Sequence, residues 1–282
     1  MKIQKSYDNN GPALYLVPTP IGNFQDMTYR AVEVLNTVDH IYCEDTRVTK
    51  VLLSHFNIKT PLSNYHIFNE EVQAEEIINL LDENKSIALV SDAGMPAISD
   101  PGFYVAKLAI ERNHKVISLP GANAALTAIV ASGIPCEKFF FNGFLSSKAN
   151  KRVKQLQELV DVKDTIIFYE APHRIIDTLY DMLEILGDRQ VVIARELTKK
   201  YEEYIRGNLS DIVTNITSLK GEIVIIVKGS ALSTVVENLL SLDITNHYQH
   251  YLDNGYEEKE AMKQVASDRN ISKSEVYKVV KK

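Results

Sequence analysis

The stretch Ile87-Ala-Leu-Val-Ser-Asp-Ala-Gly-Met-Pro-Ala-Ile-Ser-Asp-Pro-Gly102 joins a short apolar segment to a loop of small residues, acids and prolines. Ile87 to Val90 is apolar at every position, which is typical of a strand with helices on both faces. In parallel sheets, ligands bind beyond the carboxyl ends of the strands, where a glycine- and proline-rich loop lets the backbone approach them. We therefore predict that Ser91 to Ile98 form a binding loop. An ordinary strand-to-helix connection is the alternative for any such loop considered alone.

The first half of the chain alternates short apolar segments with helical patterns, which predicts an α/β domain with a parallel sheet. Three of its predicted strands end in loops that contain glycine and proline. The predicted strands are Ala13 to Val17, Val38 to Glu44, Leu62 to Tyr65, Ile87 to Val90 and Val116 to Leu119, with helices from about Thr28 to Leu35, from Arg47 to His55 and from Glu70 to Glu83.

A second α/β unit is predicted after Gly133-Ile-Pro135. Its sheet is expected to be mixed, because the segment Tyr201 to Ile205 follows its neighbour closely enough to pair antiparallel. The predicted strands are Phe139 to Phe144, Thr165 to Tyr169, Val191 to Ala194, Tyr201 to Ile205 and Glu222 to Val227. The predicted domains are residues 12–124, residues 125–230 and a helical tail over residues 231–282.

The tail has the outline of a helix-turn-helix. Lys259 to Lys278 predicts a helix, a turn at Asp268 to Asn270 and a second helix that Ser272 caps. A plain helical hairpin explains the same pattern and is favoured over a DNA-reading module. The residues expected to be buried are Met262, Val265, Ala266, Ile271 and Val276, and the lysines expected to be exposed are Lys273, Lys278, Lys281 and Lys282.

Composition limits the classes of function. The chain has 282 residues, of which 45% are hydrophobic and 24% charged, as in ordinary globular proteins. Its formal charge of -6 counts against a basic protein that coats nucleic acid, although local patches can act differently. One such patch, Lys151, Arg152 and Lys154 on a predicted helix, could bind RNA phosphates, and a solvated helix face is the favoured alternative.

Neither a membrane segment nor a metal site is predicted. The polar segment Met1 to Gly11 lacks the apolar core of a signal peptide, and no window approaches the roughly 20 apolar residues that span a membrane, so we expect a cytoplasmic protein. Cys43 and Cys136 lie far apart, without ligand spacing, and are expected to be small buried residues rather than zinc ligands or a disulfide.

Several catalytic motifs are absent from the sequence, whereas six other segments carry a resemblance. A Walker A motif, GxGxxG after the first strand, HExxH and GxSxG are all missing. The six segments are Leu16-Val-Pro-Thr-Pro-Ile-Gly-Asn23, Cys43-Glu-Asp-Thr-Arg47, Tyr65-His66 with Asn69-Glu70, Ser91 to Gly102, Leu119-Pro-Gly-Ala-Asn123 and Phe168-Tyr-Glu-Ala-Pro-His-Arg174. Over about Ala13 to Gly229 the chain resembles the tetrapyrrole methylase superfamily, and more closely its branch that methylates small-subunit ribosomal RNA.

The resemblance implies an S-adenosylmethionine-dependent enzyme of two α/β/α domains, with the cofactor cleft between them, usually as a homodimer. The implied acceptor is the ribose 2′-hydroxyl of a cytidine in the decoding region of 16S ribosomal RNA, either as RNA or in the assembled small subunit. Carried over by position, the cofactor-binding residues are Ile21, Gly22, Ala93, Gly94, Met95, Ile98, Asn123, Ala124, Glu170 and Leu197. The first turn departs from the tetrapyrrole enzymes because it keeps Gly22 but lacks their other glycines, which argues against a tetrapyrrole substrate.

Methyl transfer from a sulfonium to a hydroxyl gains much from proximity and a dry site, and one oriented base or cation would help. The candidates, all at or just after predicted strand ends, are Asp45, Arg47, His66, Glu70, His173 and Arg174. Of these, Arg47 and Arg174 are expected to position RNA phosphate or substrate, and for each candidate a cap or a bracing contact is the alternative. A methyltransferase acting on a small tetrapyrrole and a non-enzymatic ligand sensor with a DNA-binding tail are the competing functions.

Overall fold

The chain folds into two compact units. In this computed structural model, residues 2–6, 11–66, 70–230, 239–269 and 271–281 are described. The first unit contains Met1–Val160 and Asp164–Lys228, and the second contains Asp161–Lys163 and Gly229–Lys282. Both predicted α/β domains therefore lie in the first unit, apart from Asp161–Lys163 and residues 229–230, and the boundary between them at residues 124 and 125 stays a prediction. Asn69, Asn270 and Lys282, which the sequence analysis named, lie outside the described residues.

The first sheet of the first unit is parallel throughout, as predicted, with the strand order β3-β2-β4-β1-β5. All four residues of its central strand β4 are buried, because hydrophobic clusters cover both faces of the sheet. The strands are β1 (Ala13–Val17), β2 (His40–Cys43), β3 (Leu62–Asn64), β4 (Ile87–Val90) and β5 (Lys115–Ser118). The helices are α1 (Tyr29–Thr37), α2 (Thr46–His55), α3 (Glu70–Asp82), α4 (Phe103–Glu111) and α5 (Ala124–Val130).

Polar caps fix where two helices begin at the sheet edge. Asp45 caps α2, and its carboxylate accepts the backbone N–H of Arg47 at 2.8 Å. Asn123 caps α5 in the same way and accepts the N–H of Leu126 at 3.0 Å. Both caps follow the carboxyl end of a strand, so the two loops lie at the edge where ligands are expected.

The second sheet of the first unit is mixed, with the order β6-β7-β10-β8-β9. Strand β6 pairs parallel with β7, and the other neighbours pair antiparallel. The strands are β6 (Phe139–Phe144), β7 (Thr165–Glu170), β8 (Gln190–Arg195), β9 (Glu203–Asn208) and β10 (Ile223–Val227), and the helices are α6 (Ala149–Gln157), α7 (Ile175–Leu186) and α8 (Leu209–Asn215). The strand predicted to begin at Tyr201 begins at Glu203, because the chain first turns through Glu196 and Thr198, both at positive φ.

The described residues of the second unit form the two predicted tail helices and a third that the sequence analysis missed. They are α9 (Ile244–Asp253), α10 (Glu258–Asp268) and α11 (Lys273–Val280). Ser272 caps α11 through a capping box with Glu275, and the predicted apolar residues form the core of this unit. Lys281 is not free, because its ammonium group pairs with Glu258 at 2.8 Å.

The two cysteines differ in their exposure. Cys43 is buried, as predicted, whereas Cys136 is exposed in the loop before β6, so the prediction for Cys136 was wrong. Within the described part of the chain, no cluster of histidine, cysteine and acidic residues suits a metal ion. None of the described helices has the length and hydropathy needed to cross a membrane.

Candidate active site

A cavity of about 370 Å³ lies in the first unit, and residues from both halves of this unit line it. The first half of the chain contributes the loops after β1, β4 and β5, and the second half contributes residues at the ends of β6, β7 and β10. Of the ten residues that the resemblance implied for cofactor binding, all but Gly22 line this cavity: Ile21, Ala93, Gly94, Met95, Ile98, Asn123, Ala124, Glu170 and Leu197. The structure thus brings these nine together, and their binding role stays a prediction.

The binding loop is fastened to the loop after β1. The Thr19 N–H donates to the Gly94 carbonyl at 2.9 Å, and the Gly94 N–H donates to the Thr19 carbonyl at 3.0 Å. The Ser91 hydroxyl also donates to the Gly94 carbonyl at 2.8 Å. Gly94 has φ of +81°, a left-handed conformation that glycine adopts without strain. The loop after β1, whose role the sequence left open, therefore holds the binding loop in place.

Gly22 allows two loops to approach each other instead of lining the cavity. A Cβ atom at this position would lie 2.4 Å from Cγ of Lys199 and 3.0 Å from Oγ1 of Thr198. A larger residue here would force the Lys199 side chain to move, so glycine lets the loop after β1 approach the loop after β8 closely. Its predicted place in the cofactor site is not supported by the structure.

Glu170 lines the cavity and forms an ion pair with Arg174. Its carboxylate is buried and accepts hydrogen bonds from the guanidinium of Arg174, from the Ala171 N–H at 2.7 Å and from the Thr178 hydroxyl at 2.7 Å. Arg174 is paired with this buried carboxylate, so the structure shows the bracing alternative for Arg174. Its part in positioning RNA phosphate or substrate stays a prediction. His173, beside it, is exposed and does not line the cavity.

Three carboxylic acids with raised pKa values lie at the edge of the first sheet. Burial is the main cause of the raised pKa of Glu44, Asp92 and Asp100, and repulsion from neighbouring carboxylates, among them Asp45, adds to it. The pKa of Asp100 rises to about 7. Asp92 and Asp100 line the cavity, and Asp92 accepts the Asp45 N–H at 3.0 Å. A carboxylate that titrates near neutral pH inside a cavity is suited to accept a proton.

The other predicted catalytic residues surround these acids. The hydrogen bond from the Arg47 side chain lowers the pKa of Asp45 to about 2, and the Arg47 side chain is itself 89% exposed. His66 is close enough to Glu44 and Asp92 to lower the pKa of both. Glu70 braces the fold, because its Oε1 accepts the Tyr65 hydroxyl and the Gly102 N–H, each at 3.1 Å. The structure therefore shows the helix-cap alternative for Asp45 and the bracing alternative for Glu70.

The sequence analysis missed two acids and an aromatic wall. Asp92 and Asp100 belong to the stretch that it singled out, where acids in a glycine- and proline-rich loop after a buried strand were the available signal. Tyr169 accepts the Ala125 N–H at 3.3 Å, and the rings of Phe141 and Phe144 contact it edge-on at 5.0 and 5.5 Å. Phe144 and Tyr169 line the cavity, and the aromatic content of β6 signalled this wall.

Two of the three basic residues of α6 that are predicted to bind RNA are accessible on the surface. Lys151 and Lys154 are exposed. Arg152 is only 6% exposed, and its Nε donates to Asp181 of α7 at 2.5 Å, so it joins two helices of the second half. The prediction that Arg152 binds RNA is therefore not supported.

Comparison with known proteins places the chain among methyltransferases. The model of the family "Tetrapyrrole (Corrin/Porphyrin) Methylases" matches residues 13–213. A protein of Halalkalibacterium halodurans named ribosomal RNA small subunit methyltransferase I is 49% identical over 286 residues, covering 99% of both chains. A Bacillus subtilis protein of the same name is 50% identical over 269 residues, covering 94% of this chain and 92% of that protein.

Solved structures of low sequence identity share the fold. A diphthine synthase has a TM-score of 0.59 at 12% identity, covering 77% of this chain and 90% of its own. The uroporphyrin-III-C-methyltransferase from Thermus thermophilus has a TM-score of 0.56 at 17% identity, covering 77% of this chain and 94% of its own. Together with the family match and the relatives of nearly full length, this likeness shows that the chain belongs to the tetrapyrrole (corrin/porphyrin) methylase family and is a methyltransferase.

Proposed function

We propose that the chain transfers the methyl group of S-adenosylmethionine to the ribose 2′-hydroxyl of a cytidine in the decoding region of small-subunit ribosomal RNA. The observation that carries the proposal is the identity of 49% over 99% of both chains with a relative named for small-subunit ribosomal RNA methylation. The sequence resemblance implies that the acceptor atom is the 2′-oxygen of a cytidine. A ribosomal acceptor would place the enzyme in the cytoplasm, as its sequence predicts. As part of the same proposal, the enzyme acts as a homodimer.

The cavity fits S-adenosylmethionine in size and chemistry. Its volume of about 370 Å³ lies within the range of roughly 300–1,000 Å³ that small-molecule sites have. Gly94 lets the backbone approach the ligand, and Met95, Ala124 and Leu197 supply apolar contacts. Carboxylates suit a ligand with a sulfonium and an ammonium group, and the cavity wall supplies Asp92 and Asp100. When bound, the molecule supplies a methyl group on a positively charged sulfur.

An oriented base would help to remove the proton of the acceptor hydroxyl, and we assign that role to the Asp100 carboxylate. Its pKa of about 7 matches the working pH, which favours general base catalysis. Asp45, with a pKa of about 2, is too weak a base at neutral pH. Ile21, Phe144 and Val224 give the cavity an apolar lining, and holding the two reactants together would lower the entropic part of the barrier.

The chain has a formal charge of -6, so RNA must be bound through a few basic side chains at defined positions. We assign this role to Lys151 and Lys154 of α6, with Arg47 at the sheet edge. The binding partner is the small-subunit RNA, free or in the assembled subunit.

The two competing functions have weaker support. The structural neighbours that act on tetrapyrroles are under 20% identical and show only the fold. A non-enzymatic sensor is contradicted by the membership of a methyltransferase family.

Labelled S-adenosylmethionine tests the proposed function directly. We expect the parent enzyme to transfer labelled methyl groups to isolated small ribosomal subunits, and nuclease digestion to recover the label in 2′-O-methylcytidine. A matched incubation with the small-molecule fraction of a cell extract is the control. Label in a pigmented small molecule, with none in RNA, would contradict the proposal.

Asp100→Asn tests the assigned base. For the parent enzyme, kcat/KM should rise with pH through about 7 and level off above it, because only the ionised carboxylate accepts a proton. The variant should lose this rise and about 10²- to 10⁴-fold in rate. The measurement is a pH profile of kcat/KM with small subunits as acceptor. The control is Asp177→Asn, at an exposed position on α7 that does not line the cavity. An unchanged profile in Asp100→Asn would remove Asp100 from the mechanism.

Charge reversal on α6 tests the RNA contacts. Lys151→Glu/Lys154→Glu should leave the affinity for S-adenosylmethionine intact and weaken RNA binding. The slope of log affinity against log salt should fall by roughly one unit for each lysine that binds a phosphate in the parent enzyme. Lys273→Glu/Lys278→Glu on α11 makes the same charge change in the tail and is expected to do less. Methylation at the parent rate by the α6 variant at physiological salt would show that α6 is only a solvated face.

A further inference from the structure

A second cavity, of about 290 Å³, shares Asp92 with the first. The loop after β1 and helix α2 form its walls, which are mostly apolar. We propose that this second cavity binds the unpaired base of the nucleotide whose ribose is methylated. This inference rests on the proposed function and adds to it a site for the acceptor.

Phe24 provides a stacking surface for a base. Its ring contacts His55 at a centroid distance of 4.5 Å and Phe56 at 6.3 Å, so two neighbouring rings brace it. Phe24 is nevertheless 39% exposed and lines the second cavity. RNA-binding proteins hold single unstacked bases against aromatic rings presented in this way.

Thr49 provides a polar group inside an otherwise apolar wall. The residue is 2% exposed and lines the cavity. Within the described part of the chain, its hydroxyl oxygen has no hydrogen-bond partner apart from a weak interaction with the Cys43 thiol. A buried hydroxyl without a regular partner is costly, and a rotation of the Thr49 side chain towards the cavity would let the polar edge of a pyrimidine supply one.

Asp92 connects the second cavity with the proposed site of methyl transfer. Because Asp92 lines both cavities, a nucleotide with its base in the second cavity would have its ribose near Asp92 and the first cavity. The base must leave its stack to enter, as it does in other enzymes that modify single nucleotides in structured nucleic acids. Arg47, exposed on the same helix as Thr49, is placed to contact an adjoining phosphate.

Filling the second cavity tests the proposal. Val48 lines it and is partly exposed, so Val48→Trp should fill the cavity without unfolding the chain. We expect at least a tenfold loss of kcat/KM for small ribosomal subunits, with unchanged calorimetric affinity for S-adenosylmethionine. The control is Val72→Trp on α3, which is 75% exposed and lines neither cavity. Phe24→Leu, which keeps apolar volume but removes the ring, should lose about 5- to 100-fold.

The outcomes separate this inference from the proposed function. If the parent enzyme methylates small subunits and Val48→Trp and Phe24→Leu do so at the parent rate, the base site is refuted and the proposed function stands. If the parent methylates no ribosomal RNA, the proposed function fails first. A changed oligomeric mass for Val48→Trp, measured by light scattering, would instead identify the cavity as an interface between two copies of the chain and overturn the base site.

Discussion

The candidate site depends on the pair of backbone hydrogen bonds between Thr19 and Gly94. These bonds join the loop after β1 to the loop after β4, two strands that are neighbours in the first sheet. Thr19 and Gly94 are buried, so each bond that breaks leaves polar groups unsatisfied at a cost of about 1–3 kcal/mol. Residues of both loops line each of the two cavities, so this pair of bonds helps to set the shape of both.

Backbone strain positions the acid that we assign as the base. Ala97 and Ser99 have positive φ values of 67° and 65°, which cost non-glycine residues about 1–2 kcal/mol each. The loop is held in this shape at its end, where the Gly102 N–H donates to Glu70. Gly102 itself has φ of +136°, and a Cβ there would lie 2.8 Å from Leu89 of β4. Asp100 lies between these constraints, and its burial there raises its pKa.

Much of the fold and part of the site follow from local sequence. The apolar segment Ile87 to Val90 predicted a strand covered on both faces, and the structure has a strand with the same bounds. Helix α9 was missed because its polar residues, among them the buried His247, hide the apolar stripe. Arg152 was read as a surface cation because its partner Asp181 is 29 residues away and only the packing of α6 on α7 brings them together. The raised pKa of Asp100 likewise depends on burial in the folded chain and on Glu44, an acid from a distant segment that no local pattern joins to it.

A structure of the chain with S-adenosylhomocysteine bound tests the central claim most directly, because the two fastened loops are claimed to form a donor site that exists before the ligand arrives. We expect the ligand in the first cavity, in contact with Gly94 and Ala124, with the hydrogen bonds between Thr19 and Gly94 intact. Density for the ligand elsewhere, or in this cavity only after those hydrogen bonds have broken, would contradict the account.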